Sequence, residues 1–276
     1  MTYRRIEMAL TYAVLILLSL ILAAPLIFLI ITSLKLDFEY ITYPFRWLPS
    51  TPQWINYEQV FTMTRYGEVL FRTFVISVGT SAICTLTSSM AGFAFARIKA
   101  PGSKIFFSVV ISMLIVPGIV LLIPQFIIYA RLKFTNTYWP WIFGAIAGSP
   151  YLIFMFRQFF LGFPKELEEA AEVDGCGPFR IFWQIFFPNS LPVFATAFIL
   201  QFLGVWGDYL MPLMLLSADK TFVGVILAKV FVNPQGIFIN TVTMAATVLY
   251  LIPPIILFFL GQRYILKSVV TSGIKG

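Results

Sequence analysis

Polar and apolar positions in this chain separate into blocks rather than alternating. Six apolar blocks are bounded by charge: residues 8–34, 73–96, 105–130, 134–156, 191–216 and 240–262. Five of them contain no Asp, Glu, Lys or Arg, and the block at 191–216 contains only Asp208. At a rise of about 1.5 Å per residue, each is long enough as a helix to cross a hydrocarbon core of about 30 Å. The runs are continuously apolar, whereas a barrel strand alternates, so the pattern favours helices over strands. The pattern predicts an all-α polytopic membrane protein with about six transmembrane helices in one transmembrane domain over residues 1–276.

Composition strengthens this picture. The chain is 59% hydrophobic and 11% charged, with a mean hydropathy of +0.90. A soluble domain carries about 25% charged residues. A soluble enzyme, a nucleic-acid reader and a disordered regulator are thereby excluded, and lipid is the expected surrounding. The net charge of +7 reads as a topology signal. With both termini in the cytoplasm, eleven of the 19 Lys and Arg residues fall inside and eight outside, and Arg4, Arg5, Arg97, Lys99 and Lys104 lie close to span ends, where the rule acts most strongly. The first block is too long for the apolar core of a secretory signal and lacks a small-residue cleavage site.

Chemistry-bearing residues are sparse. There is no histidine, and Cys84 and Cys176 form neither a metal-ligand spacing nor a disulfide framework. No glycine-rich phosphate loop with its lysine is present. No catalytic residue and no metal site is expected. Prolines 25, 117, 124, 150, 192, 212, 253 and 254 interrupt the apolar blocks, and each removes a backbone donor. Such interruptions suit a passage that opens and closes, and they also suit membrane helices in general. The outer loop from Lys35 to Arg72 holds Trp47, Pro49, Pro52 and Trp54, as a compact interfacial loop would.

The inner segment 157–190 is the most informative. It contains FPKELEEAAEVDGCGPFRIFWQIFFP. Pro164 suits a first helical turn, and Glu166, Glu168 and Glu169 suit a positive helix N-terminus. Lys165 and Glu169 are spaced to support each other. The helix is expected to stop at Gly175 or Gly177, and Pro178 to start a second one, too apolar to face water and too short to span. Two short helices at the inner membrane surface, joined by a sharp turn, result. The cluster Glu166, Glu168, Glu169, Glu172 and Asp174 opposes simple adsorption to an anionic leaflet.

This segment resembles the signature of the permease subunits of binding-protein-dependent ABC importers. Their pattern is Glu-Ala-Ala, three residues, Gly, nine residues, Ile, one residue, Leu-Pro. Here it stands as Glu169, Ala170, Ala171, Gly175, Ile185 and Pro188, with Phe187 in place of Leu. The resemblance implies that the loop, including Glu172 and Asp174, docks on a separate ATPase. A second stretch, Trp206-Gly207-Asp208-Tyr209 followed by Pro212-Leu213, is similar to the fifth span of the carbohydrate-uptake, maltose-type subgroup, with Gly207 where Asn is usual. The tail Ser272, Gly273, Ile274, Lys275 and Gly276 resembles one that reaches into the ATPase pair in that subgroup.

The resemblance implies a second, related permease subunit, two ATPase subunits that hold ATP and Mg, an extracytoplasmic solute-binding protein, and a bacterial or archaeal cytoplasmic membrane. The expected solute is a sugar, oligosaccharide or polyol, with Trp206, Asp208 and Tyr209 as candidate pathway residues. A carboxylate inside an apolar span is a functional candidate by default, and for Asp208 pathway lining, a structural partner and interfacial exposure are all open. A different solute, such as a phosphorylated polyol or an amino acid, is the first alternative. An ion-coupled secondary transporter would need more intramembrane ionisable groups than this chain has. A membrane enzyme lacks the residues for its chemistry, and a structural scaffold would travel without an ATPase.

Overall fold

A computed structural model describes residues 2–229, 231–232 and 236–273, with side chains described between residues 6 and 264. In chain order the helices are α1 (Thr2–Ser33), α2 (Asp37–Ile41), α3 (Ile55–Met63), α4 (Tyr66–Arg97), α5 (Ser103–Ser112), α6 (Gly118–Arg131), α7 (Trp139–Ala147) and α8 (Pro150–Leu161). They continue as α9 (Glu166–Val173), α10 (Pro178–Ile181), a π-helical turn (Phe182–Phe186), α11 (Phe187–Asn189), α12 (Leu191–Trp206), α13 (Leu210–Leu215), α14 (Val223–Lys229) and α15 (Asn240–Gly273). The all-α expectation holds, and the β pairing among the described residues is an isolated bridge between Val232 and Phe238.

Four stretches are long and apolar enough to cross a membrane: Ile6–Ser33, Tyr66–Arg97, Trp139–Leu161 and Asn240–Tyr264. A fifth arises from Pro178–Asn189 and Leu191–Trp206, which meet at a bend of 83°. The block at 105–130 is two shorter apolar helices, α5 and α6, because the chain leaves the helix at Met113 and Pro117 caps α6. Proline lacks an N–H and disfavours helical backbone in the residue before it. Pro25, Pro124, Pro253 and Pro254 lie inside helices, whereas Pro150 and Pro192 occupy first-turn positions, where a missing N–H is harmless.

The chain forms two compact units, Met1–Glu68 with Ile226–Ile252, and Val69–Val225 with Pro253–Gly276. In the first, the side chains of Ile6–Leu22 are exposed almost throughout, as fits a helix apolar on every side and bathed in lipid. Its loop is a polar knot. Asn56 donates to the Ser33 and Lys35 carbonyls at 2.9 and 2.8 Å, and the Ser33 and Tyr57 hydroxyls share a bond of 2.7 Å. Lys35 is fully buried, donates to the Arg46 carbonyl and lies 4.3 Å from the Phe45 ring centre. Burial pushes its ammonium pKa down. Glu39 is held below the usual carboxylate range chiefly by the Ser50 hydroxyl, then by the Leu36 and Ser50 amides. Trp47 and Trp54 point outward from the knot.

In the second unit, Phe93, Phe156, Phe160, Phe182, Phe186 and Phe194 form an aromatic core. Helices α4 and α8 approach closely at Gly92, where an added Cβ would lie 2.7 Å from Phe156 Cβ and 3.0 Å from the Arg157 amide.

Candidate coupling site and membrane cavity

Helix α9 carries Glu166, Glu168 and Glu169 in its first turn. Pro164 lies outside the helix, with Lys165 at the N-cap, so the proline ends the preceding turn instead of starting α9. The helix closes at Val173 with Asp174 at the C-cap, two residues before Gly175. Gly175 adopts φ +76° and donates to the Glu172 carbonyl at 3.0 Å, while Cys176 donates to the Ala171 carbonyl at 2.9 Å. This paired capping satisfies two carbonyls that a helix end leaves free, and it requires left-handed backbone at the glycine. Nothing lies within 4 Å of a Cβ built at Gly175, so backbone geometry, not crowding within this chain, selects glycine there.

Ala171 faces inward and is buried, whereas Glu169, Ala170, Glu172, Asp174 and Gly175 are exposed. The return arm is anchored by buried Ile181, Phe182 and Phe186, with Ile185 half-buried and Pro188 exposed. An acidic face thus stands clear on a hairpin whose other arm is bound into the aromatic core.

The ion pair at α9 differs from the one the spacing predicts. Among the described residues Lys165 and Glu169 form none; Glu168 pairs instead with Arg97, at the end of α4, at 3.3 Å. The Arg97 side chain is only 6% exposed. Its Nη2 donates to the Phe160 and Phe163 carbonyls at 2.7 Å each, and its guanidinium lies 5.2 Å from the Phe186 ring centre. One side chain therefore joins α4, the end of α8, α9 and the π-helical turn. Sequence reasoning treated Arg97 only as a topology marker.

At another level of the same unit lies a cavity of about 270 Å³, bordered by α4, α6, α7, α12 and the start of α13. Asp208 lines it, with Oδ2 accepting from Trp141 Nε1 at 3.0 Å and Oδ1 from the Met211 amide at 3.3 Å. Trp206 lies elsewhere, buried and stacked on Phe202 at 5.5 Å. Tyr209 is half-buried at the N-cap of α13 and is not among the lining residues. Gln125, Tyr129, Ser149 and Gln201, which sequence reasoning passed over, do line the cavity. Gln125 and Gln201 are each the single glutamine of an apolar block, a signal legible in the sequence.

Ser272 and Gly273 end α15, and Ile274, Lys275 and Gly276 lie outside the described residues. Among the described residues, no cluster of side chains could hold a metal ion.

Comparison with known proteins places these features in a wider set. The family described as "Binding-protein-dependent transport system inner membrane component" matches residues 85–271. The arabinooligosaccharides transport system permease protein AraQ of Halalkalibacterium halodurans is 35% identical over 233 residues, covering 83% of this chain and 81% of that protein. The maltodextrin transport system permease protein MalD of Streptococcus pneumoniae is 30% identical, covering 99% of this chain and 97% of that protein. In fold, the chain matches one from the crystal structure of a bacterial ABC transporter involved in the import of the acidic polysaccharide alginate, with a TM-score of 0.77, 19% identity, and coverage of 95% and 97%.

Proposed function

The chain belongs to the inner-membrane components of binding-protein-dependent transport systems, and from that membership we propose that it forms half of the pathway of an ATP-driven importer for a sugar, oligosaccharide or polyol. It is an integral membrane subunit of the ABC permease type. The carbohydrate class draws on the relatives named for arabinooligosaccharides and maltodextrin. A second permease subunit completes the pathway, two cytoplasmic ATPase subunits bind and hydrolyse ATP with Mg, and an extracytoplasmic binding protein delivers solute. Both termini lie in the cytoplasm, and the tail Ser272–Gly276 reaches the ATPase pair.

The observation that carries this reading is the exposed acidic hairpin. Glu169, Ala170, Glu172, Asp174 and Gly175 stand free on α9, while Ile181, Phe182 and Phe186 bind its second arm into the core. A surface free for a partner and an anchor bound to the spans are the two ends a coupling element needs. ATP binding draws the ATPase pair together, displaces the docked hairpin, and turns the pathway outward as a rigid-body movement.

Gentle co-purification followed by uptake into proteoliposomes tests the reading. ATP-dependent uptake is expected in the four-subunit assembly, and it is lost in Gly175→Pro and Glu169→Lys while ATP hydrolysis persists. Wild-type uptake in both variants would remove the hairpin from the coupling path, and recovery of the chain without any ATPase would favour a scaffold.

A further inference from the structure

Three membrane segments are irregular beside a single space. Helix α7 gives way to α8 through Gly148 and Ser149, α12 gives way to α13 through Gly207–Tyr209, and α6 carries Pro124 next to Gln125. Gly148, Ser149, Asp208 and Gln125 all line the cavity of about 270 Å³. Irregular backbone at membrane depth persists only where it is buried in protein or borders a water-filled space. The break at Gly148 is built in, since φ is +79° there and an added Cβ would lie 3.1 Å from Ser88 Oγ.

The polar groups of this space have a consistent chemistry. Gln125 and Gln201 line it, and among the described residues neither side chain is hydrogen-bonded to protein. Both side chains are half-buried, and an amide carries donors and acceptors together, as a hydroxyl does. The Asp208 carboxylate is fixed by Trp141 and Met211, and the ring of Tyr129 adds an aromatic wall. No Lys or Arg lines the cavity. A carboxylate with no Lys or Arg among the lining residues offers anionic groups such as phosphate, carboxylate and sulfonate no partner of opposite charge. The volume falls just below the range of about 300–1,000 Å³ common for small-molecule pockets, which suits one sugar ring at a time.

We propose that this subunit itself holds solute in this cavity, that Gln125 and Gln201 bond the hydroxyls of a neutral polyhydroxylated ring, and that Asp208 excludes anionic solutes. The proposal rests on the importer reading and narrows it, since it rejects a phosphorylated polyol.

The test uses the complete importer with its binding protein in proteoliposomes. Maltotriose and arabinotriose serve as neutral probes, and trigalacturonate and glucose 6-phosphate as anionic ones. Gln125→Leu and Gln201→Leu keep approximate volume and remove the hydrogen-bonding groups. Each is expected to raise the apparent KM for the neutral trisaccharide roughly three- to tenfold, with Gln201→Asn recovering part of the loss, and neither anionic probe is expected to be carried or to compete. Neutral uptake with wild-type KM and maximal rate in both Leu variants would overturn the cavity assignment and leave the importer reading standing. Carriage of an anionic probe would overturn the proposed selectivity. Uptake of the neutral probes by the wild-type assembly without ATP would overturn the importer reading and, with it, the proposal that rests on it.

Discussion

Replacing Arg97 is expected to damage both stability and coupling, in amounts the geometry ranks. The guanidinium donates to two carbonyls at 2.7 Å and pairs with Glu168 at 3.3 Å, with only 6% of the side chain exposed. Arg97→Met keeps most of the apolar stem and removes every one of these bonds. The two carbonyls, of Phe160 and Phe163, lose a charged donor beside the aromatic core. Glu168 loses its cation but is 19% exposed and can turn toward water. Removing one partner of a buried pair costs about 3–5 kcal/mol. Glu168→Gln leaves Arg97 bonded to both carbonyls and removes only the charge of its partner, a loss of about 1–2 kcal/mol. Arg97→Lys falls between, because an ammonium is a point charge and cannot reproduce the planar fork. The expected order of destabilisation is Arg97→Met, then Arg97→Lys, then Glu168→Gln. Thermal unfolding of the purified assembly reads the first effect, and solute carried per ATP hydrolysed reads the second. Glu168→Gln is the sharper coupling test, since it is the least destabilised of the three and is expected to carry less solute per ATP. Wild-type unfolding of Arg97→Met, or unchanged solute per ATP in Glu168→Gln, would refute the reasoning.

Three further outcomes follow from single contacts. Gly92→Val drives a side chain into Phe156 Cβ and the Arg157 amide, and it should destabilise the assembly by about 1–3 kcal/mol or more in thermal unfolding; a neutral result would mean that α4 and α8 do not approach as described. Gly175→Ala forces an L side chain into φ +76° and should cost about 1–2 kcal/mol while leaving the open space around it free, so a partial coupling loss is expected where Gly175→Pro gives a complete one. Glu39 has a depressed carboxyl pKa, so its stabilising contribution is complete above the unfolded value of about 4.3 and is lost as pH falls through the lower folded value. Limited proteolysis of the 35–57 loop should therefore rise in acid, and Glu39→Gln should raise it already at neutral pH; identical acid profiles for the two proteins would count against this.

The spans were legible because charge bounds them, and hydrocarbon tolerates few charges. The breaks inside them were less so. Gly148, Ser149 and Pro150 form a turn signal, yet they sit within an uncharged block, and periodicity alone cannot place a break in a continuously apolar run. Arg97 and Glu168 are far apart in sequence, and their pairing depends on packing that brings the end of α4 to α9. The spacing favoured Lys165 with Glu169, a local pair that is weak in water and yields to a buried guanidinium. The motif around Trp206 pointed to the pathway, and its ring packs against Phe202 and Phe74, contacts that the motif alone did not specify. Gln125 and Gln201 could have been found from the sequence, since a lone amide in an apolar block needs a reason.

The α9 hairpin and the cavity are joined by one pair of helices. Ser88 accepts from the Ser149 amide at 2.9 Å where α8 begins, Gly92 lets α4 touch Phe156 along its length, and Arg97 holds the carbonyls of Phe160 and Phe163 where it ends. Arg157 adds a bond to the Phe95 carbonyl at 3.3 Å. From Ser88 to Arg97 is nine residues, or about 13–14 Å of helix. Helices tied at both ends and in close contact between them move together, because packed interiors deform little. On the proposed coupling role of α9, a push there would reach the cavity as a displacement of this pair, with no dispersed network needed. The pair ends at Gly148, where the backbone leaves the helix at the cavity that Asp208, Gln125 and Gln201 also line.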